Sequence, residues 1–195
     1  MTNFLNFNKP KTITQWIIFL AAVGITLSSP SGTRAFTREL NKELNKYLTK
    51  KFKEDEISIK PIKVSQALYR LKKRKIIEFN ESDNKTIIVL TENGKKRKLQ
   101  YDLESIVVSK PKSWDRKWRL LMFDIPEPLK KAREALRIKL KQLGFFPFQK
   151  SVWIYPYPCE NEIDFISEVF SVAPNIALLT VEIENDEPLR EFFNL

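Results

Sequence analysis

The first half of the chain repeats apolar residues with the period of a helix in three segments, residues 13–28, 35–52 and 62–75. Apolar positions three or four residues apart form one face of a helix, so each segment is predicted to be helical. The inner face of the third helix consists of Val64, Ala67, Leu68 and Leu71. Two strand-like stretches, residues 76–79 and 86–90, follow it and predict a hairpin.

The second half changes repeatedly between strand-like and helix-like patterns. The predicted order is strand 118–124, helix 127–143, strands near 145–148 and 151–155, helix 160–171 and strand 175–184. A β-α-β-β-α-β order is that of a ferredoxin-like sheet. The fold class is therefore predicted to be α+β. The predicted domains are residues 1–105 and 116–195, joined by a linker over residues 106–115.

Charge separates the same two halves. Residues 1–110 hold 22 lysines and arginines against 11 aspartates and glutamates, whereas residues 111–195 hold 12 against 13. The net charge of +10 therefore arises entirely in the first half. A one-sided basic excess indicates a module that binds a polyanion, joined to a near-neutral domain. The alternative is a basic surface that only keeps the protein in solution.

Two residue counts exclude several classes of chemistry. The chain has no histidine, so Ser-His and Cys-His catalysis and histidine-ligated zinc are excluded. Its single cysteine, Cys159, cannot form an internal disulfide or a Cys-x-x-Cys zinc site. Catalysis would have to use carboxylates, lysines or a metal held by oxygen, and a reducing, cytoplasmic location is expected.

The apolar run Trp16–Leu27 allows two interpretations. It is about a dozen residues long, short of the roughly 20 that a membrane-spanning helix needs. A buried first helix of the N-terminal domain is the favoured interpretation, and a membrane interaction is not expected. The minor alternative is an N-terminal membrane anchor through residues 16–27.

Three short motifs in the second half carry a family resemblance. They are Phe123-Asp124-Ile125-Pro126, Leu143-Gly144-Phe145 and Gln149-Lys150-Ser151-Val152-Trp153. On these motifs the second half resembles the small CRISPR-associated adaptation protein (Cas2-type) family. It also resembles the middle domain of PaaX-like transcriptional repressors, which place a winged helix in front of it. The three predicted helices and the hairpin have the order of a winged helix, and the segment Val64–Gly94 resembles winged-helix repressors.

The PaaX-like resemblance implies a DNA-binding transcriptional regulator. Its partner would be double-stranded DNA, its Cas2-like domain would make it a homodimer, and no cofactor would be required. The outer face of helix 62–75 would then contact DNA. Arg70 and Gln66 suit guanine and adenine edges, and lysines suit phosphates. The predicted DNA-binding residues are Gln66, Tyr69, Arg70, Lys72 and Lys73, with Lys95, Lys96, Arg97 and Lys98 on the side of the wing.

The Cas2-type resemblance implies an alternative centred on Asp124. In that family the acid at this strand end is the proposed Mg²⁺ ligand, paired with its symmetry mate across a dimer. The protein would then be a spacer-acquisition adaptor, with the CRISPR integrase as partner, or a Mg²⁺-dependent endonuclease with Asp124 as catalytic and metal-binding residue. Glu127 is the nearby acid that could assist. A third interpretation is that Asp124 only caps the following helix.

Overall fold

The computed structural model describes residues 6–8, 10, 12–52, 61–82 and 85–195. The predicted connector over residues 53–60 and the hairpin tip at residues 83–84 lie outside the described residues. The protein is α+β, as predicted. Along the chain its strands and helices are β1 (Asn6–Phe7), α1 (Ile13–Ala22), β2 (Thr26–Leu27), α2 (Arg34–Phe52), α3 (Pro61–Lys73), β3 (Ile77–Ser82), β4 (Lys85–Leu90), α4 (Glu92–Ser105), β5 (Ile106–Val107), β6 (Trp118–Phe123), α5 (Lys130–Gln142), β7 (Phe146–Gln149), β8 (Val152–Tyr155), α6 (Glu160–Val169), β9 (Ile176–Val181) and α7 (Glu187–Phe193).

The described chain divides into two compact units. The N-terminal unit is Lys9–Glu104, and the C-terminal unit is Ser105–Leu195 together with β1. β1 belongs to the C-terminal unit because it pairs antiparallel with β5. Residues 106–107, which were predicted to lie in the linker, therefore form a strand. The Phe7 ring also packs edge-to-face against Phe165, with their centroids 5.9 Å apart.

The N-terminal unit places three helices against a small antiparallel sheet with the strand order β2-β4-β3. β3 and β4 form the predicted hairpin, and the two-residue strand β2 pairs with β4 on its other edge. The core draws on all three predicted helices and the sheet. Its most buried members are Ile17, Ile18, Leu27, Phe36, Leu40, Leu44, Val64, Ala67, Leu71, Ile77 and Ile88.

The apolar run at the N-terminus forms part of this core. The Thr12 hydroxyl accepts a hydrogen bond from the Gln15 backbone, and the Gln15 side chain accepts one from Thr12 N–H, which fixes the start of α1. Trp16 and Ile17 are buried in the core. α1 ends at Ala22, so residues 26–27 are a strand and not part of the predicted helix. Among the described residues, no helix is long and apolar enough to cross a membrane.

The C-terminal unit has a four-stranded antiparallel sheet with the strand order β7-β8-β6-β9. β6 lies between β8 and β9, and helices α5 and α6 connect the strands in the order predicted for a ferredoxin-like sheet. Leu136 and Leu140 of α5 are fully buried. Gly144 follows the end of α5 and has a φ of +86°, a conformation that glycine adopts without strain.

The last helix, α7, follows the ferredoxin-like core. Its buried Leu189 packs against Trp118 and Ile154, and Trp118 Nε1 donates a hydrogen bond to Asp186 Oδ2 at 3.0 Å. The Phe193 ring lies 5.7 Å from the ring of Trp118. α7 is thus packed on β6 of its own chain.

Candidate nucleic-acid interface

α3 separates its side chains into one apolar and one polar face. Pro61 occupies the start of the helix, where its missing N–H costs no hydrogen bond. The predicted inner-face residues are all buried: Val64, Ala67, Leu68 and Leu71. Burial of these four fixes the rotation of α3, so the opposite face must point to solvent.

The predicted DNA-binding residues of α3 lie on that solvent face. All five are exposed: Gln66, Tyr69, Arg70, Lys72 and Lys73. α3 contains no acidic residue, so no carboxylate within the helix neutralises its cations. These side chains therefore share one accessible surface that carries three cations, and its contact with DNA stays a prediction.

Two of the α3 lysines lie close to aromatic rings. Lys73 Nζ is 6.0 Å from the Tyr69 ring centroid, and Lys72 Nζ is 5.1 Å from the Phe79 ring centroid in β3. Contacts of this kind leave the charge available and restrict the flexible side chain. Lys72 also acts on Glu81 of β3. Hydrogen bonds from Ser31 hold the pKa of Glu81 below its ordinary value, and the Lys72 charge lowers that pKa further.

The second predicted group, Lys95–Lys98, does not lie in a wing loop. These residues form part of α4, which begins directly after β4. The Thr91 hydroxyl accepts a hydrogen bond from Gly94 N–H at 3.1 Å, which is the capping interaction that starts this helix. The cluster thus follows the hairpin directly and lies on a helix, and its contact with DNA stays a prediction.

Most of the α4 cations have polar neighbours within the helix. Lys95 donates to Glu92 at 2.7 Å, which raises the pKa of Lys95. Lys98 forms an ion pair with Asp102. The Arg97 guanidinium lies 4.6 Å from the Tyr101 ring centroid. These local pairs weaken the field that α4 presents to a polyanion, so α3 is the stronger candidate surface.

Asp124 lies at the end of β6, as predicted, and is exposed. Its backbone N–H donates to the Asn175 carbonyl oxygen at 2.9 Å, which holds the strand end in place. The short 3₁₀ turn Glu127–Leu129 and the helix α5 that follows have no side-chain cap. The interpretation of Asp124 as a helix cap is therefore wrong.

Glu127 does not complete a metal site with Asp124. Arg133 Nη2 donates to Glu127 Oε2 at 2.8 Å and thereby lowers the pKa of Glu127, while Arg133 Nη1 donates to the Ile125 carbonyl oxygen. No group of three potential metal ligands is present within the described ranges. At this strand end Asp124 therefore stands as an exposed carboxylate without help from Glu127, and Mg²⁺ bound there would complete its octahedron with waters or with a ligand from another copy of the chain.

Sequence reasoning missed two residues on the solvent side of α3. Ile62 is 65% exposed, although it is a large aliphatic residue. The Ser65 hydroxyl lies 3.3 Å from the Thr37 hydroxyl of α2 and links the two helices. Ile62 is the first residue of the predicted helix 62–75 and lies four residues before Gln66, so the helical period could have placed it on the outer face.

A comparison with protein-family models gives a match in the second half of the chain. Residues 111–192 match the PaaX protein central Cas2-like domain. This segment is thus similar to the central Cas2-like domain of PaaX proteins. The match begins before β6 and reaches into α7, so it includes the ferredoxin-like sheet of the C-terminal unit. A search of curated proteins finds no match to this chain.

The PaaX-type domain contains Asp124 and the three sequence motifs that carried the resemblance. The resemblance of residues 111–192 to the PaaX-like family is thus confirmed. The α3 surface lies outside the matched segment.

Proposed function

We propose that the protein is a PaaX-like transcriptional repressor that binds duplex DNA through a winged helix in its N-terminal unit. The order α1-β2-α2-α3-β3-β4 supports a winged helix, as does the pairing of β2 with β4, the second strand of the hairpin. In this arrangement α3 is the recognition helix, which enters the major groove. The Cas2-like domain supports a role in a regulator of the PaaX-like type.

The observation that carries this proposal is the solvent face of α3. It has exposed Arg70, Lys72 and Lys73, no carboxylate within the helix itself, and a rotation fixed by four buried residues. Cations held on a rigid helix bind phosphates and release counterions, which gives salt-dependent affinity. Gln66 and Tyr69 add hydrogen-bonding groups that can contact base edges or phosphates.

An apolar face of the C-terminal sheet supports dimerisation. Leu120 pairs with Leu179, and Met122 pairs with Ala177, so these side chains share one face of the sheet. Leu179 is 44% exposed, and Leu120 and Met122 are half-buried. A second copy packed on this face would remove this apolar area from water. A symmetric dimer would bind a palindromic operator with half-sites about 34–36 Å apart.

The proposal is tested by titrating the full-length protein onto labelled duplex DNA at two salt concentrations, with and without Mg²⁺. The DNA is recovered and run on a denaturing gel. Binding that weakens with salt and leaves the DNA intact would support a regulator. Absence of duplex binding at low salt would contradict the proposal.

The same experiment tests the second candidate function, a Mg²⁺-dependent endonuclease. The exposed carboxylate of Asp124 at the strand end favours this candidate, because it is accessible to a metal and to a partner copy. Two such carboxylates could hold Mg²⁺ with waters that complete its octahedron, and the metal could activate a water for phosphodiester hydrolysis. Mg²⁺-dependent cleavage that Asp124→Asn abolishes would favour the endonuclease over the repressor.

A further inference from the structure

The centre of the α3 solvent face is less basic than its flanks. At 100° per residue, Ile62, Gln66, Tyr69 and Lys73 fall within about 60° of one another, opposite the buried side chains. Lys63 and Arg70 flank this strip on one side, and Lys72 flanks it on the other. The strip residues are the ones that would point most directly into a groove.

Two members of this strip are large, exposed and partly or wholly apolar. Ile62 is 65% exposed and Tyr69 is 67% exposed. A single exposed aliphatic residue on a protein surface needs no explanation. Here, however, the isoleucine stands one turn from Gln66 in the first two turns of the helix. The N-terminal part of a recognition helix is the part that contacts base edges.

Isoleucine and glutamine together match one kind of base pair. In the major groove, apolar side chains contact the 5-methyl group of thymine, and glutamine bonds bidentately to N6 and N7 of adenine. Guanine is instead contacted by arginine or lysine. Lys63, Arg70 and Lys72 lie toward the sides of the strip, where a helix in the groove meets the phosphates.

We propose that α3 selects an A·T-containing half-site, with Ile62 against a thymine 5-methyl group and Gln66 bonded to an adenine. This inference rests on the proposed function, because it requires α3 to enter the major groove. Beyond DNA binding itself, the DNA would contain A·T pairs in each half-site, and Ile62 would be the residue that contacts the methyl group.

The test uses full-length protein and a binding site selected from a random duplex library. Each thymine of the selected site is replaced in turn by deoxyuridine, which removes only the 5-methyl group. We expect one thymine in each half-site at which this change weakens binding about threefold to fivefold, the effect of losing one buried methyl group. Ile62→Ala should bind the thymine and deoxyuridine duplexes equally.

The matched control is Ile138→Ala, which removes the same atoms from a 60% exposed isoleucine on α5. This variant should keep the full deoxyuridine effect. Gln66→Ala should lose preference for adenine at one position by at least about fivefold. Both α3 substitutions are at exposed positions, so the variants should retain the wild-type circular dichroism spectrum.

The outcomes separate this inference from the proposed function. Salt-sensitive duplex binding in which deoxyuridine has no effect at any thymine would overturn the role of Ile62 and leave the repressor proposal standing. A selected site of G·C pairs alone, or an Ile62→Ala variant that keeps the deoxyuridine effect, would also overturn it. Absence of any duplex binding would contradict both the repressor proposal and the role of Ile62.

Discussion

Gly94 lies so close to the carbonyl oxygen of Ile76 that no side chain fits between them. A Cβ atom on Gly94 would lie 2.0 Å from that oxygen, closer than any non-bonded contact allows. Thr91 N–H donates to the same carbonyl, and the Thr91 hydroxyl donates to the Lys75 carbonyl oxygen. The start of α4 is thereby held against the end of α3, where Lys75 has a φ of +51°.

Gly94→Ala should therefore destabilise the protein, although alanine is the better helix former. Helix propensity alone would stabilise the variant by about 0.5–1 kcal/mol. The clash with backbone atoms cannot be relieved by a side-chain rotation, and overpacking of this kind costs about 1–3 kcal/mol or more. Thermal unfolding followed by circular dichroism measures the difference. Asn93→Ala, at the exposed neighbouring position, is the control. An unchanged or higher Tm for Gly94→Ala would contradict the observed packing.

The ion pair of Asp115 with Arg119 should make stability depend on pH. The Arg119 guanidinium is buried and donates to both carboxylate oxygens of Asp115, at 2.9 and 2.7 Å. This holds the pKa of Asp115 below its ordinary value of 3.8. A depressed folded-state pKa stabilises the fold above the ordinary value, and this stability is lost as pH falls through the lower folded-state pKa.

Asp115→Asn should lower the free energy of unfolding by about 1–2 kcal/mol at pH 7, a modest loss because the Asp115 side chain is 43% exposed. The difference between the variant and the wild type in free energy of unfolding should become smaller as pH falls below about 4. Urea unfolding at pH 7 and at the lowest pH where wild type stays folded measures both values. Glu168→Gln, at an exposed position on α6, controls for loss of a surface charge. A gap that stays constant with pH would contradict this account of the pair.

The apolar sheet face should determine the oligomeric state. Leu179→Lys places a charge on this face and should shift a dimer toward monomer, since an unpaired charge is costly to bury. Light scattering after size-exclusion chromatography measures the mass across a concentration series. Ile138→Lys makes the same change at an exposed helix position and should leave the mass unchanged. If both variants are dimers of equal mass, the dimer interface does not lie on this face.

Asp124→Asn should leave duplex affinity unchanged in the repressor account, with or without Mg²⁺. The Asp124 side chain is exposed at the end of β6, whereas the proposed DNA contacts lie on α3. Fluorescence anisotropy with one labelled duplex gives both affinities. A large change in affinity that appears only with Mg²⁺ would indicate that the metal mediates DNA contact through Asp124.

The sequence predicted the long periodic elements well, because burial on one face leaves a clear pattern. The strand predicted over residues 118–124 is Trp118–Phe123, and the inner face of α3 is as predicted. The family of the second half was also identified from three short motifs, as the family match confirms.

The missed elements have physical reasons. α4 carries a glycine near its start and lacks a regular apolar stripe, so periodicity did not indicate a helix there, although most of its residues are good helix formers. Strands β1, β2 and β5 have two residues each, too few to show alternation. The helical tail α7 has only seven residues and is held by contacts with Trp118 that lie far away in sequence. Local patterns cannot report such contacts.

The central claim, that α3 binds duplex DNA through its cations, is tested most directly by the salt dependence of binding in two double variants. Arg70→Ala/Lys72→Ala removes two charges from the flanks of α3, and Lys130→Ala/Lys131→Ala removes two exposed charges from α5. Each lost phosphate contact lowers the slope of log affinity against log salt by about 0.9. We expect the α3 variant to bind more weakly, with a slope shallower by about 2, and the α5 variant to match wild type. A wild-type slope in the α3 variant, or equal losses in both variants, would contradict the claim.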